Sequence, residues 1–168
     1  MKQKYLILFS LSGLVLCCDQ ITKLFVHSTF QVNEAITVIP SFLSFVYTRN
    51  NGFAFGLLQK APPSLQEVFF IGVPVFALIL IVLIFIKLRD NQILTSVALT
   101  TILAGAVGNL IDRLQHGFVI DFMDFHFQNR LHFPPFNIAD CSIIIGVLIM
   151  FVNTLMLDKN KALPAEKA

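Results

Sequence analysis

Four long apolar segments, separated by polar stretches, divide this chain of 168 residues. They cover residues 5–26, 68–86, 94–111 and 141–157. Each is within a residue or two of the roughly 17 to 25 residues that a helix needs to cross the hydrocarbon core of a bilayer. The pattern predicts four membrane-spanning helices in a single membrane domain over residues 1–168, with long loops over residues 27–67 and 112–140.

The first long loop is rich in residues that favour β-strands. Residues 36–47 contain many Ile, Val, Thr, Phe and Tyr, and Pro40 interrupts them, which predicts short strands. Asn51-Gly52 is a turn sequence, and Phe53 and Phe55 follow it. We therefore predict a small sheet, or cradle, whose aromatic side chains dip into the membrane interface.

Two further segments of the loops have recognisable local patterns. Ser64 and Glu67 form a capping box that can start either an interfacial helix or a spanning one. Residues 119–125 are strand-like, and in an extended strand Asp121 and Asp124 point to opposite faces. At most one of these two carboxylates can then join a given site.

Composition agrees with a membrane protein and excludes other classes. Hydrophobic residues make up 56% of the chain and the mean hydropathy is +0.78, which is too apolar for a soluble domain of this size. The formal net charge is only +2, and no basic patch alternates with aromatic residues, so we expect no nucleic-acid partner.

The lysine and arginine residues predict how the chain is oriented in the membrane. They are frequent at both ends and in the short loop after the second apolar segment, and sparse for their length in the long loops. By the positive-inside rule, both termini should be cytoplasmic and both long loops should face outward. The basic residues concerned are Lys2, Lys4, Lys87, Arg89, Lys159, Lys161 and Lys167.

The first apolar segment has an alternative interpretation as a cleaved signal peptide. Lys2 and Lys4 precede it, and residues 14–17 resemble a lipobox. The residue before a modified cysteine should be small, however, and Leu16 is not. We expect the segment to remain as a spanning helix, in which Cys17 packs as a small apolar side chain.

Cysteine and histidine give no indication of a metal site or a redox centre. The three cysteines include neither a CxxC pair nor a Cys/His zinc spacing. His116, His126 and His132 lack the HExxH spacing and any comparable ligand pattern. We therefore expect no metal and no cofactor.

The third apolar segment has one polar stripe. Its members recur at helical spacing on one face, which should point into the bundle: Gly105, Asn109, Asp112 and Arg113. Ala104 and Gly108 have the spacing that permits close contact with another helix. Alternatively, Asn109 only bonds a neighbouring helix and the charged pair after it marks the membrane boundary.

Asp19 and Lys23 lie four residues apart near the outer end of the first segment. This spacing places them on one helical face with the acid first, where they can pair. The pair could be a structural ion pair at the interface or could shape a site, and Arg113 is a second candidate partner. Spacing alone leaves these alternatives open.

Ionisable residues cluster between the third and fourth apolar segments. Such groups at membrane depth oppose insertion by roughly 2.5 to 3.5 kcal/mol each, so they usually face a cavity or one another. We interpret the cluster as an active site at one membrane surface. Asp121 and Asp140 lie on either side of a loop short enough to fold back, where they could share one proton and activate water. Alternatively, Asn137 caps the last helix and Asp140 only places a favourable negative charge in its first turn.

The chain resembles the lipoprotein signal peptidase (signal peptidase II) family of bacterial intramembrane aspartyl proteases. Five short motifs, in order along nearly the whole chain, support the resemblance. They are Asp19-Gln20-x-x-Lys23, Asn50-x-Gly52-x-Ala54-Phe55, Gly108-Asn109-x-x-Asp112-Arg113, Val119-x-Asp121-Phe122 and Phe136-Asn137-x-Ala139-Asp140. Phe53 stands where the family often has a small residue, which could narrow the groove.

The resemblance implies a fold, a chemistry and a substrate. The fold would be an all-α polytopic membrane protein with four transmembrane helices, a small periplasmic β-cradle and a short interfacial helix. Asp121 and Asp140 would be the catalytic pair, with Asp121 favoured over Asp124. The enzyme would remove the signal peptide of a prolipoprotein just before a diacylglyceryl-modified cysteine, as a monomer in the bacterial cytoplasmic (inner) membrane.

Further residues are candidates for substrate binding or for support of the site. They are Asp19, Lys23, Asn50, Gly52, Gly105, Asn109, Asp112, Arg113, Asn137 and Ala139. Among them, Arg113 and Asn50 could hold backbone carbonyls of the substrate. The expected partners are prolipoproteins that carry diacylglyceryl-cysteine, and membrane lipid.

Two other classes of function fit parts of the pattern. A small transporter or proton channel would also contain intramembrane acids, but here the polar groups gather at one surface and the second helix has no relay. A noncatalytic assembly factor would use the polar stripe only to hold helices together.

Overall fold

Five helices and four strands make up the part of the chain that the computed structural model describes, residues 2–52, 62–127 and 131–162. The helices are α1 (Gln3–Thr29), α2 (Pro63–Glu67), α3 (Val73–Lys87), α4 (Ile93–His116) and α5 (Ile138–Ala162). The strands are β1 (Ala35–Ile39), β2 (Leu43–Asn50), β3 (Val119–Phe127) and β4 (Leu131–His132).

Four helical segments are long and apolar enough to cross a membrane. They are Gln3–Thr29, Leu65–Lys87, Ile93–His116 and Ile138–Leu157. Each contains one of the predicted apolar segments and extends beyond it at one or both ends. The prediction of a four-helix membrane protein with a small sheet is confirmed.

The second span begins as α2 and continues through a π-helical turn, Val68–Gly72, into α3. The helix that Ser64 and Glu67 predict is therefore the start of a spanning helix. Between residues 62 and 127 the structure has no separate interfacial helix. Phe53 and Phe55, which we expected to dip into the interface, lie outside the described residues.

Helix α4 is the centre of the bundle. Half of the residues in its most apolar stretch are buried, against 6% in each of the first two spans and 17% in the last. It contacts α1, α3 and α5. At the opposite end from the sheet, the buried ammonium of Lys4 donates hydrogen bonds to the carbonyls of Ile86 and Leu88, and so links α1 to the end of α3.

Glycine permits the close approach of α4 to its neighbours. A Cβ atom on Gly105 would lie 2.3 Å from the carbonyl oxygen of Ala139 and 2.3 Å from Ser142 Oγ, both in α5. A Cβ atom on Gly108 would lie 2.6 Å from Asp19 Oδ2 in α1. Close packing thus occurs at Gly108, as its spacing predicts, and again on the α5 side at Gly105.

We expect the variant Gly105→Ala to unfold at a lower temperature than the wild type in detergent. The added methyl group must displace the first turn of α5, and overpacking of this kind destabilises by roughly 1 to 3 kcal/mol. The matched control is Gly13→Ala in α1, where a Cβ atom meets nothing within 4 Å. Equal unfolding midpoints for the two variants would contradict the packing.

The four strands form one antiparallel sheet in the order β1-β2-β3-β4. Asn51-Gly52 is a turn, because Gly52 has a φ of +74° and its N–H donates to Asn50 Oδ1 at 2.8 Å. It does not close a hairpin among the described strands, since β2 pairs with β1 and β3. The predicted strands in residues 36–47 and 119–125 are confirmed.

The sheet packs against the helix ends that lie next to the polar cluster. Its core contains Val26 of α1, Tyr47 of β2, and Ile120 and Phe122 of β3. Gly117, with a φ of +77°, ends α4 in the left-handed conformation, which glycine adopts without strain. The chain then turns directly into β3, so the start of this strand lies beside α1 and α4.

Candidate active site

Strand β3 places Asp121 inside the protein. Its side chain is 2% exposed and accepts two amide hydrogen bonds. Asn50 Nδ2 donates to Oδ2 at 2.8 Å, and Asn137 Nδ2 donates to Oδ1 at 2.7 Å. Asp124 lies elsewhere on the strand, 3.7 Å from His126 Nδ1, and lines a different groove. The structure therefore separates the two carboxylates that local sequence could not distinguish.

Asp140 lies in the first turn of α5, where Asn137 caps the helix. The Asp140 N–H donates to Asn137 Oδ1 at 2.9 Å, and the Asn137 N–H donates back to Asp140 Oδ2 at 3.2 Å. This reciprocal pair is a capping box. Asn109 Nδ2 of α4 also donates to Asp140 Oδ1 at 2.8 Å. Asp140 thus caps the helix and joins the polar cluster at the same time.

Two asparagine amides connect the two carboxylates. Asn137 Nδ2, which donates to Asp121, also lies 3.2 Å from Asn109 Oδ1. Asn109 in turn donates to Asp140. Asp121 and Asp140 come from different elements, and a continuous chain of hydrogen bonds therefore joins them.

A buried charged triad lies beneath this cluster. Asp19 is 0% exposed, and Lys23 and Asp112 are each 1% exposed. The Lys23 ammonium lies 2.9 Å from Asp19 Oδ2 and 2.9 Å from Asp112 Oδ2, and it donates to Asn109 Oδ1 at 2.9 Å. Asp19 and Lys23 pair as their spacing predicts. Their further charged partner is Asp112 and not Arg113, the second candidate partner considered above.

Backbone N–H groups add one hydrogen bond to each carboxylate of the triad. The Ala139 N–H donates to Asp19 Oδ1 at 2.8 Å, and the Ile120 N–H donates to Asp112 Oδ2 at 3.1 Å. Ala139 therefore contributes to the cluster through its backbone. Its side chain is fully buried beside Gly108.

Gln20, which had no predicted role, belongs to the same network. Its Nε2 atom lies 3.1 Å from Asp19 Oδ2, 3.2 Å from Asp112 Oδ1 and 3.2 Å from the Gly108 carbonyl. An amide within an apolar segment was the available indication, because an amide at membrane depth needs hydrogen-bonding partners.

Arg113 lies at the edge of the cluster and packs against the second span. Its guanidinium is 5.0 Å from the centre of the Phe70 ring, and its buried Nε has no hydrogen-bond acceptor within the described chain. It lines a groove of about 430 Å³ together with Asn51 and Glu67.

Phe70 is a contact that the sequence did not reveal, because the second helix is apolar throughout. It lies in the π-helical turn and also covers Gly52, where a Cβ atom would come within 2.7 Å of the ring. Gly52 therefore serves the site by leaving room for Phe70. The second span, although apolar, therefore contributes a side chain to the surroundings of the site.

Asn50 is engaged at both ends of its side chain. Its Nδ2 donates to Asp121 and its Oδ1 accepts from the Gly52 N–H. In this structure Asn50 contacts Asp121 directly. A contact between Asn50 and a substrate carbonyl stays a prediction.

Burial raises the pKa of Asp121 to about 7, because removal from water disfavours the charged carboxylate. The hydrogen bond from Asn50 opposes this increase in the pKa, as do the hydrogen bond from Asn137 and the charge of Lys23. The nearby charge of Asp140 adds to the effect of burial, and the value of about 7 is the result of all these contributions. Near neutral pH, the Asp121 carboxyl can therefore hold or release a proton.

The residues around the two carboxylates are suited to proton chemistry. Amide N–H groups surround Asp121 and Asp140, and no cluster of three or more potential metal-binding side chains occurs in the described ranges. A carboxyl pair in this arrangement can act as general acid and general base on a single bound water.

Comparison with known proteins identifies the family. The family model described as "Signal peptidase (SPase) II" matches residues 11–156. The chain belongs to the signal peptidase II family. Signal peptidases II are aspartic peptidases that remove signal peptides from prolipoproteins, so the chain is an aspartic endopeptidase and a multi-pass membrane protein.

Individual signal peptidase II proteins are similar to this chain over almost its entire length. The lipoprotein signal peptidase of Syntrophus aciditrophicus (strain SB) is 44% identical over 161 residues, which are 95% of this chain and 99% of that one. The protein of the same name from Geobacter metallireducens is 40% identical over 155 residues, 92% of this chain and 94% of that one.

A solved bacterial membrane enzyme structure has the same fold. It has a TM-score of 0.77 and 36% sequence identity, and the match covers 98% of this chain and 93% of that one. Membership of the signal peptidase II family favours a peptidase over the transporter and assembly-factor alternatives.

Proposed function

We propose that the chain cleaves prolipoproteins just before a diacylglyceryl-modified cysteine, and that Asp121 and Asp140 are its catalytic pair. The observation that supports this pair is the hydrogen-bonded connection between them through Asn137 and Asn109. Two carboxyl groups so connected can divide the roles of acid and base, because a proton on one favours ionisation of the other.

In the proposed reaction, Asp140 is the initial base and Asp121 the initial acid. Asp140 lies at a helix N-terminus and accepts hydrogen bonds from Asn109 and from the Asn137 N–H. It takes a proton from water as the water oxygen bonds to the scissile carbonyl carbon. Protonated Asp121 donates its proton to the carbonyl oxygen. When the C–N bond breaks, Asp140 gives its proton to the leaving amine, and Asp121 recovers a proton from the diol as the new carboxyl group forms.

Arg113 is proposed to bind the substrate backbone. Its buried Nε–H has no acceptor within the described chain, and a buried donor without a partner is unfavourable by about 1 to 3 kcal/mol. A substrate carbonyl in the adjoining groove would satisfy this donor. Binding there would bring a peptide from the membrane to the carboxyl pair.

We propose that a lipid-anchored substrate reaches the site from within the bilayer. The cluster lies at the end of α4 and the start of α5, and the spanning helices expose apolar side chains along their length. A substrate held by acyl chains can therefore diffuse laterally to the site, while water approaches from outside. We propose that the protein acts as a monomer in the inner membrane, with membrane lipid as its other partner.

The orientation in the membrane follows from the distribution of lysine and arginine. We expect both termini in the cytoplasm and the site at the periplasmic surface. A phosphatase that is active only outside the cytoplasm should be inactive when fused after the C-terminus and active when inserted in residues 27–67. The reverse pattern would contradict this topology.

The substrate proposal is tested with purified protein and two matched precursors. One carries diacylglyceryl-cysteine at the cleavage site, and the other is identical but unmodified. We expect cleavage of the lipidated precursor alone, and mass spectrometry should place the cut directly before the modified cysteine. Cleavage at another bond, or equal cleavage of both precursors, would reject the proposal.

The raised pKa of Asp121 predicts the pH dependence of cleavage. In the proposed mechanism Asp121 must be protonated at the start, so kcat/KM should fall as the pH rises through about 7. The variant Asn50→Ala removes a hydrogen bond that favours the ionised form, so the pKa of Asp121 should rise and this decline should move to higher pH.

The control for this measurement is Asn91→Ala, which alters an exposed asparagine between α3 and α4. Its decline should occur at the wild-type pH. If Asn50→Ala left the decline unmoved, or moved it to lower pH, Asp121 would not be the group that titrates.

A further inference from the structure

The backbone immediately before each proposed catalytic aspartate is bound by the same buried triad. Ile120 precedes Asp121, and its N–H donates to Asp112 Oδ2 at 3.1 Å. Ala139 precedes Asp140, and its N–H donates to Asp19 Oδ1 at 2.8 Å. Two carboxylates on different helices therefore each bind the N–H of the residue that precedes a proposed catalytic aspartate.

Lys23 joins these two supports. Its ammonium lies 2.9 Å from Asp19 and 2.9 Å from Asp112, so a single cation sets the distance between the carboxylates. A shift in either carboxylate would disturb the other through Lys23. The backbone positions of Asp121 and Asp140 are thus coupled across α1 and α4.

Lys23 also acts through a side-chain route. An ammonium group has donors only, so it holds the oxygen of the Asn109 amide toward itself, at 2.9 Å. The amide nitrogen of Asn109 is then directed to Asp140. Asn137 donates to the same Asn109 oxygen and to Asp121, so this second route also reaches both aspartates.

We propose that Asp19, Lys23 and Asp112 form a positioning triad that fixes the placement of Asp121 relative to Asp140, an inference that rests on the proposed function. The triad does not touch the substrate, because its members are at most 1% exposed. It acts through the Ile120 and Ala139 N–H groups and through Asn109. Its members are positioning residues, and the catalytic residues are the two aspartates.

Helix packing alone does not require charge at these three positions. Replacement of a buried ion triad by apolar side chains of similar volume is often neutral or stabilising, so ion pairing is a weak explanation for stability. Apolar side chains, however, could neither accept the two N–H groups nor orient the Asn109 amide. Placement of the aspartates therefore needs the charged and hydrogen-bonding groups that occupy these three positions.

The variant Asp112→Glu tests the triad without a change of charge. It moves the carboxylate by one methylene group, and we expect it to displace Ile120 and Asp121. Misplacement by about 1 Å can lower a rate by about 100-fold, so kcat should fall by this order while KM stays within about twofold. The control Asp90→Glu, at an exposed pair with Lys2, should leave both constants unchanged.

The pH profile separates positioning from loss of folded protein. The groups that face Asp121 are Asn50 of β2, Lys23 of α1, Arg113 of α4, Asp140 of α5 and Asn137, which caps α5. Their charges are the same in Asp112→Glu. If Asp121 moves away from Asp140, the negative charge of Asp140 has a smaller effect on Asp121, and the pKa of Asp121 falls. The alkaline decline in kcat/KM should then move to lower pH. A smaller folded fraction alone would lower the rate equally at every pH.

A measurement that needs no activity keeps the inference testable if the proposed function fails. In an Asp121→Asn background, the amide proton resonances of Ile120 and Ala139 report on the two held N–H groups. Asp112→Glu should shift the resonance of Ile120 directly and that of Ala139 through Lys23. If Asp112→Glu does not fold, Asp19→Glu tests the triad from the other side. An unmoved distal resonance, or wild-type kcat with an unmoved pH profile, would overturn the positioning triad.

Discussion

Asp121→Asn should lower kcat on a lipidated precursor by roughly 10²- to 10⁴-fold, the usual contribution of general acid–base catalysis, or by more. The asparagine retains the size of the side chain and can still accept one hydrogen bond. It cannot give a proton to the scissile carbonyl. The same loss is expected for Asp140→Asn, because the amide is too weak a base to deprotonate water. Cleavage per folded molecule is the quantity to measure, on a gel or by mass spectrometry.

The matched control is Asp124→Asn, which makes the same change three residues further along β3. Asp124 lines a different groove and lies near His126, so this variant should retain near-normal cleavage. Near-normal turnover by Asp121→Asn would reject the proposed dyad. If Asp124→Asn were inactive and Asp121→Asn active, the catalytic role would have to pass to Asp124.

The second large effect is expected for Lys23→Met. This change removes the only cation of the triad and leaves Asp19 and Asp112 buried side by side. Removal of one partner from a buried ion pair destabilises by about 3 to 5 kcal/mol. For a chain of this size, we expect the unfolding midpoint in detergent to fall by about 10 °C, and protein levels in the membrane to fall with it.

Lys2→Met is the matched control for this prediction. Lys2 lies 3.6 Å from Asp90, but both side chains are exposed to solvent. Exposed pairs of this kind contribute about 0 to 1 kcal/mol, so the unfolding midpoint should scarcely change. If Lys23→Met unfolded at the temperature of Lys2→Met, the contacts of Lys23 with Asp19 and Asp112 would not stabilise the fold.

Hydrophobic pattern predicted the spanning helices well and their ends poorly. The third span was expected to end at Ile111, and α4 continues to His116. A hydropathy pattern treats Asp112 as a boundary, because it cannot include the partners that other helices supply. Once Lys23 and the Ile120 N–H satisfy the carboxylate, a charged residue is stable within the helix.

Local patterns predicted the contacts that are close in sequence. The pairing of Asp19 with Lys23 follows from helical spacing, and the cap formed by Asn137 follows from its place before an apolar run. The pairing of Lys23 with Asp112 does not follow from any spacing, because the two residues belong to helices that meet only in the folded chain.

Local sequence could not predict which of Asp121 and Asp124 is buried. Alternation along a strand separates their faces, but it does not reveal which face is covered. That depends on α1 and α4, which contact β3, and on Ile138 of α5, which packs against the same core. Phe70 is a similar case: one apolar residue in an apolar helix gives no sign that it covers Arg113 and Gly52.

The central place of α4 has a consequence for biogenesis. Ribosomes make the chain from the N-terminus, so α1 and α3 enter the bilayer before the helix against which both of them pack. Until then, the contacts described between α1 and α3 lie at one end only, where Lys4 donates to Ile86 and Leu88 and Tyr5 packs against Phe85. A nascent chain that stops before Ile93 should therefore leave two loosely associated helices in the lipid, exposed to the proteases that clear unassembled membrane proteins.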